Sequence, residues 1–312
     1  MGIIYTITFF ISIALLFFTQ KYFIRRNKFD EVKNRSSHSV LATRSGGTAI
    51  FFTLLMITSY LYITSNQIFD FSLFLPLGIL FTIGLYDDIY QVDFKLKFIF
   101  QLIAAKILID QGIYIESLNG FFGIYEIPYM ISQALSIFII VFIINATNFS
   151  DGIDGLAISE VIKCLLICLL YNYTSSLKGY SFIFLITLIS IIPLYFFNFK
   201  KNYKVFLGDS GSLLLGGVVS VSIIYLNNII GESGVSKINI FWIFIMCYSY
   251  PIIDSSYVIL KRLINKKSPF VADQSHLHHA LMRKGISHTK CLLIISGLTG
   301  VIQFILLNYS TG

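Results

Sequence analysis

Ten predominantly apolar runs follow one another along the chain, at roughly residues 3–19, 46–64, 71–86, 97–114, 128–147, 157–173, 180–197, 211–229, 239–260 and 290–308. Each approaches the roughly 20 residues that an α-helix needs to cross a bilayer. The runs are continuous, not alternating, which argues against an outer-membrane β-barrel. The pattern predicts an all-α polytopic integral membrane protein with about ten transmembrane helices. No linker, low-complexity segment or repeat divides it, so residues 1–312 read as a single membrane-embedded domain.

Composition agrees with the pattern. Of 312 residues, 56% are apolar and 12% charged, and mean hydropathy is +0.78. Soluble domains carry about 25% charged residues, and disordered chains are poor in apolar ones. Cys164, Cys168, Cys247 and Cys291 lie in apolar runs without CxxC or Cys/His metal spacing, so they read as buried, inert thiols.

Charge adds an orientation. A net charge of +7 would suggest nucleic acid in a soluble protein. Here, with the loop after the first run placed inside, nineteen of the 23 Lys and Arg fall in inner loops. Lys178 and Lys237 fall outside, and Lys106 and Lys163 lie within runs. Lys and Arg concentrate on the cytoplasmic side of membrane proteins. The expectation is a multi-pass membrane protein with both termini outside. The cations of the first run, Lys21, Arg25 and Arg26, follow it, so it reads as a retained helix and not a cleaved signal.

The chemistry-bearing residues concentrate in four inner segments. Asp87-Asp88 are adjacent carboxylates that repel unless a cation is near; Mg²⁺ binds through one or two carboxylates plus phosphate. A solvated helix end is the plainer alternative. In Asn145-Ala-Thr-Asn148-Phe-Ser-Asp151-Gly-Ile-Asp154-Gly155, the two Asp and the two Asn are each three apart and would share a helix face. A polar connecting turn is the alternative there. Asp209, in Gly208-Asp209-Ser210-Gly211, is either the N-cap of the eighth helix or a metal ligand beside N–H groups facing a phosphate. Last, His276, His278 and His279 precede Arg283. His-rich tracts can bind Zn²⁺, but no Cys or spaced second pair completes such a site, whereas His and Arg both donate to phosphate oxygens. Asp, Asn, His, Lys and Arg gathered on one membrane face suit transfer of a phosphate-linked group to or from a lipid.

The blocks RSSHSVLATRSGG, DDIYQVDFKLKFIFQ, NATNFSDGIDGLA, VFLGDSGS and SPFVADQSHLHHALMRKG stand in order between about Arg35 and Gly285. In them the chain resembles the polyprenyl-phosphate N-acetylhexosamine-1-phosphate transferases, bacterial enzymes that start O-antigen, teichoic acid and related lipid intermediates. The resemblance implies transfer of a sugar-1-phosphate from a UDP-N-acetylhexosamine to undecaprenyl phosphate, releasing UMP. It implies catalytic roles for Asp87, Asp88 and Asp151, and Mg²⁺, or Mn²⁺ in its place, held by Asp87, Asp88, Asn148, Asp151 and Asp209. It implies substrate contacts from Arg44, Lys97, Asn145, Asn148, Asp154, His276, His278, His279 and Arg283. The HLHH order departs from the muramoyl-pentapeptide branch and disfavours that substrate.

Expected partners are undecaprenyl phosphate, the UDP-sugar and the lipid bilayer, with no nucleic acid; a homodimer is left as an option. Two other readings compete. A CDP-alcohol phosphatidyltransferase would need Ala-Arg soon after Asp-Gly, and Leu156-Ala157-Ile158 stands there instead. A transporter of an anionic substrate favours a midplane site on repeated halves. Asp93 reads as a surface acid, Lys106 and Asp110 as a self-neutralising pair, and Asp254 is an intramembrane acid without an assigned role.

Overall fold

Inside a bilayer each backbone N–H and C=O must find its partner within its own segment, so long apolar stretches fold as helices. The computed structural model describes residues 2–29, 41–65, 71–174, 180–200, 203–232, 238–268 and 275–311. Residues 35–40 and 269–274, parts of the first and last motifs, lie outside the described residues, as do Lys33, Lys178, Lys201 and Lys237.

Each predicted run appears as one helix: α1 (Gly2–Arg25), α2 (Gly46–Ser65), α3 (Phe74–Tyr90), α4 (Phe94–Asp110), α5 (Tyr129–Ser150), α6 (Leu156–Thr174), α7 (Ser181–Asn198), α8 (Gly208–Glu232), α9 (Ile240–Ile264) and α11 (His288–Thr311). A short α10 (Leu277–Arg283) carries His278 and His279, with His276 at its N-cap. By length and composition, eight helices are able to cross a membrane among the described residues; α4 and α6 are not in that set.

The helices extend past the apolar runs at the charged end. Asp87 and Asp88 belong to α3, Asn145 and Asn148 to α5, and Asp209 to the first turn of α8. Hydropathy stops at the first polar residue, but the backbone continues because those side chains meet partners on other elements. By contrast, Asp151 and Asp154 do not share a helix face. Residues 151–155 form a turn between α5 and α6, closed by Gly155 at φ +76°, a backbone that favours glycine.

α8 is the centre of the bundle. Of its apolar window 83% is buried, against 22% for α1 and 28% for α11. It packs on α2, α3, α5 and α6, and two close approaches fix its charged end. A Cβ on Gly47 of α2 would lie 2.1 Å from Gly211 N, and one on Gly84 of α3 would lie 2.4 Å from the Asp209 carbonyl. Small residues let helices in lipid approach closely enough to pack.

Two small sheets supplement the helices. β1 (Ala42–Thr43) runs parallel to β2 (Lys204–Val205), and Gly46 and Gly47 donate to the Phe206 and Leu207 carbonyls at 3.0 and 2.9 Å. This ties the start of α2 to the start of α8. At the opposite end, β3 (Ser117–Phe121) pairs antiparallel with β4 (Ile124–Glu126). This hairpin is pinned to α8: Asn119 Nδ2 donates to Asn227 Oδ1 at 2.9 Å, and Asn227 Nδ2 donates to Ser117 O at 2.9 Å.

α9 is broken at Tyr248 (φ −143°, ψ 49°), three residues before Pro251. Proline has no N–H for the carbonyl of residue 247. Gln303 of α11 supplies the missing donor, its Nε2 lying 3.3 Å from Cys247 O. All four cysteines are free and buried. Lys106 and Asp110 form the expected pair on α4, and Glu160 of α6, fully buried, is paired with Lys163 at 2.8 Å.

Candidate active site

The ends of α3, α4, α5 and α8 converge at the charged end of the bundle. Asp87 is 8% exposed, and its Oδ1 accepts Val92 N–H at 2.6 Å. Lys97, at the start of α4, donates to Asp87 Oδ2 at 3.2 Å and to Asp209 Oδ2 at 2.8 Å. One ammonium thus bridges carboxylates from α3 and α8.

Asp88 does something different. Its side chain is wholly buried, and both oxygens accept backbone donors at the start of α8: Asp209 N–H and Ser210 N–H, each at 2.9 Å. The first N–H groups of a helix have no partner within it. The cap of α8 is therefore Asp88 of α3, not Asp209. Arg44 lies 3.8 Å from Asp88 Oδ1 with its side chain 37% exposed. A Cβ on Gly208 would come 2.7 Å from Asp88 Oδ2, so only glycine fits that approach.

Across from this group, Asp151 follows the last residue of α5 as its C-cap and is partly buried. Burial, and then the negative charge of Asp209, hold its carboxyl well above the usual carboxylate range; Arg44 opposes the shift, and Asp88 and Asp154 add to it. Asn148 Nδ2 donates to Ser212 Oγ of α8 at 2.8 Å. Asn145 turns the other way: its Nδ2 donates to Gln101 of α4 at 2.7 Å. Asp154 is paired with Lys204, the cation that its own loop lacks, and lies 3.8 Å from His288 Nδ1.

The histidines stand against α9. His276 Nδ1 is 2.7 Å from Asp254 Oδ2, and His278 Nδ1 is 2.8 Å from Tyr250 Oη. The His279 ring lies 4.3 Å from that of His278, centroid to centroid. Burial, followed by the two neighbouring histidines, pushes His278 down to about 3, so the ring is neutral at physiological pH. Its Nε2 is buried without a hydrogen-bond partner among the described residues, and a Cβ on Gly152 would lie 2.3 Å from it. Phe149 of α5 sits between the His276 ring, 5.5 Å away, and the Arg262 guanidinium, 5.9 Å away. Arg283 ends α10 and is exposed.

The donor set suits a hard divalent cation. Asp87, Asp209, Asp151 and Asn148 offer only oxygen ligands in range of phosphate chemistry, and Asp151 sits among like charges that a cation would relieve. Among the described residues no three such groups converge into a ready cage. Mg²⁺ takes one or two carboxylates, with waters and substrate phosphate completing its ligand set. Asp88 fits least well, since both its oxygens are already engaged.

Several contacts escaped the sequence. Tyr250 and Lys204 lie outside the motif blocks, and Gln101 and Ser212 close two of those blocks with no role signal of their own, because each is defined by a partner far along the chain. Asp254 did carry one: an acid inside an apolar run.

A family model described as glycosyl transferase family 4 matches residues 70–227. The chain is 30% identical over 276 residues to a probable undecaprenyl-phosphate N-acetylglucosaminyl 1-phosphate transferase of Bacillus subtilis, covering 85% of this chain and 73% of that protein. It is 30% identical over 296 residues to the undecaprenyl-phosphate alpha-N-acetylglucosaminyl 1-phosphate transferase of Yersinia pestis, covering 92% and 78%. To a decaprenyl-phosphate N-acetylglucosaminephosphotransferase of Mycolicibacterium smegmatis it is 31% identical over 244 residues, 73% of this chain and 60% of the other.

Proposed function

We propose a specific reaction on a footing already established: the chain belongs to glycosyl transferase family 4, among the polyprenyl-phosphate N-acetylglucosamine-1-phosphate transferases. The donor is UDP-N-acetylglucosamine and the acceptor undecaprenyl phosphate. An oxygen of the lipid phosphate attacks the phosphorus that carries the sugar. The bond from that phosphorus to the bridging oxygen breaks, giving the lipid-pyrophosphate-linked sugar and UMP. The observation that carries this reading is the Asp87–Lys97–Asp209 bridge beside Asp151, carboxylates and a cation from four helices at one end of an apolar bundle.

Mg²⁺, held by Asp209 with Asp87 or Asp151 and by Asn148, would neutralise the phosphate oxygens as charge moves to the leaving group. Lys97 positions the two carboxylates and offers its charge to phosphate. Asp151, raised by burial and like charge, is the carboxylate best suited to take a proton from the attacking lipid phosphate. Asp88 and Arg44 hold the start of α8 in place. The histidines of α10, with Arg283, donate to the sugar nucleotide. The site faces the cytoplasm of a bacterial inner membrane, and its product starts a cell-envelope polysaccharide.

The test is incubation of the purified protein with undecaprenyl phosphate, Mg²⁺ and a panel of UDP-N-acetyl sugars, with lipid products identified by mass. The expected product carries one N-acetylhexosamine on a pyrophosphate, formed with UMP and best from UDP-N-acetylglucosamine. No lipid-linked sugar from any donor would sink the reaction.

A further inference from the structure

Two residues of α9 that lie outside the motif blocks stand behind the histidines. Tyr250 and Asp254 are four apart, hence one turn apart on the same helix face. They are 3% and 6% exposed. Each holds one imidazole by the same atom: Tyr250 Oη meets His278 Nδ1 at 2.8 Å, and Asp254 Oδ2 meets His276 Nδ1 at 2.7 Å. The other oxygen of Asp254 accepts Leu277 N–H at 2.8 Å, which also fixes the start of α10. A carboxylate can only accept, so His276 carries its proton on Nδ1. In both rings Nδ1 is thereby engaged by α9, and Nε2 is the nitrogen left for other work.

The His278 Nε2 shows what that work faces. It is buried, has no hydrogen-bond partner among the described residues, and is aimed at Gly152, next to Asp151. A buried polar atom left unpaired costs free energy unless something completes it. The missing Cβ of Gly152 is what lets that nitrogen approach the turn.

Resting on the transferase reading above, we infer that Tyr250 and Asp254 are positioning residues that fix the Nδ1 side of His278 and His276 and so present both Nε2 atoms to the substrate beside the Asp151 turn. They act through the histidines, without touching substrate themselves. The break in α9 at Tyr248 lies immediately before this segment, so the two residues ride on the part of α9 that follows the kink.

The experiment is a double-substitution cycle on the full-length purified protein, reading kcat and KM for UDP-N-acetylglucosamine by UMP release. Asp254→Asn keeps an acceptor for Leu277 N–H but turns an amide N–H₂ towards His276 Nδ1. It is expected to lower kcat at least about tenfold, the scale of one charge-assisted hydrogen bond. In a His276→Ala background the same change is expected to cost less than about twofold. Tyr250→Phe, which deletes one oxygen, is expected to cost about threefold to tenfold and to cost little once His278 is Ala. A merely structural role would keep its cost in both histidine-free backgrounds, and that result overturns the inference. So does an unsubstituted protein that works beside indifferent Asp254→Asn and Tyr250→Phe variants. If Asp254→Asn does not fold, the Tyr250 cycle decides alone. Failure of the unsubstituted protein to make any lipid-linked sugar would count instead against the reaction itself.

Discussion

Asp88 and Asp209 are joined through the main chain: the Asp88 carboxylate accepts the Asp209 N–H at 2.9 Å and, with its second oxygen, the Ser210 N–H at 2.9 Å. Two acids that read alike in sequence thereby separate into a scaffold group, Asp88, and a side chain held by Lys97 alone among these contacts, Asp209. Asp88→Asn keeps one acceptor and turns an N–H₂ towards the other backbone donor. It should destabilise the protein by about 1–3 kcal/mol, the cost of a buried donor left unpaired. Asp209→Asn should abolish UMP release with a much smaller effect on stability. Thermal unfolding in detergent beside turnover measures both; equal stability losses would contradict the division.

Lys97 and the proposed divalent cation would compete for the same two carboxylates. Its Nζ is within 3.2 Å of Asp87 and 2.8 Å of Asp209. Lys97→Met removes a positive charge from the metal's neighbourhood, so the Mg²⁺ concentration for half-maximal rate should fall severalfold. The maximal rate should fall about tenfold or more, because the carboxylates lose their positioning and the phosphate loses a cation. A Mg²⁺ titration of UMP release checks this, and a higher Mg²⁺ requirement would refute it.

Gly152 is constrained by space. Because a Cβ there would lie 2.3 Å from His278 Nε2, and His278 is 1% exposed, Gly152→Ala must displace the ring. The expected result is at least a tenfold loss of kcat/KM with the protein still folded. In a His278→Ala background the added methyl should cost little. An equal loss there would place the constraint in the turn backbone instead.

His278 also predicts a pH dependence of stability. Its folded-state value lies near 3, below the ordinary 6.5, so over that window the unfolded chain binds a proton that the folded chain refuses. Stability contributed by the neutral ring is full above about pH 6.5 and is lost as pH falls towards 3, at about 1.4 kcal/mol per pH unit. The thermal midpoint should therefore drop between pH 7 and pH 5, and His278→Asn should flatten that slope. Turnover between pH 7 and pH 9 should show no ionisation from this histidine.

The helical class, the run positions and the gathering of acids at one end were legible in the sequence, because hydropathy and Lys/Arg placement are local quantities. The ends of the helices were not. Asp87, Asp88 and Asp209 read as loop residues but are helical, since what extends α3 and α8 is the contact between them. The same limit hid the division of labour among carboxylates. Nothing near Asp154 in sequence announces Lys204, and nothing near Asn145 announces Gln101. The family resemblance supplied candidate residues, and the geometry separates those that line the Asp151 site from Asn145, which turns to α4.

α8 is secured at its two extremities by different kinds of bond. Near Asp209 it is held by carboxylates, a lysine and an arginine. Near Asn227 it is held by the side-chain amides of Asn119, Asn227 and Asn228 and by backbone carbonyls. Amides neither titrate nor carry net charge. Acid should thus loosen the helix from the reacting end alone, with the hairpin serving as its fixed bearing.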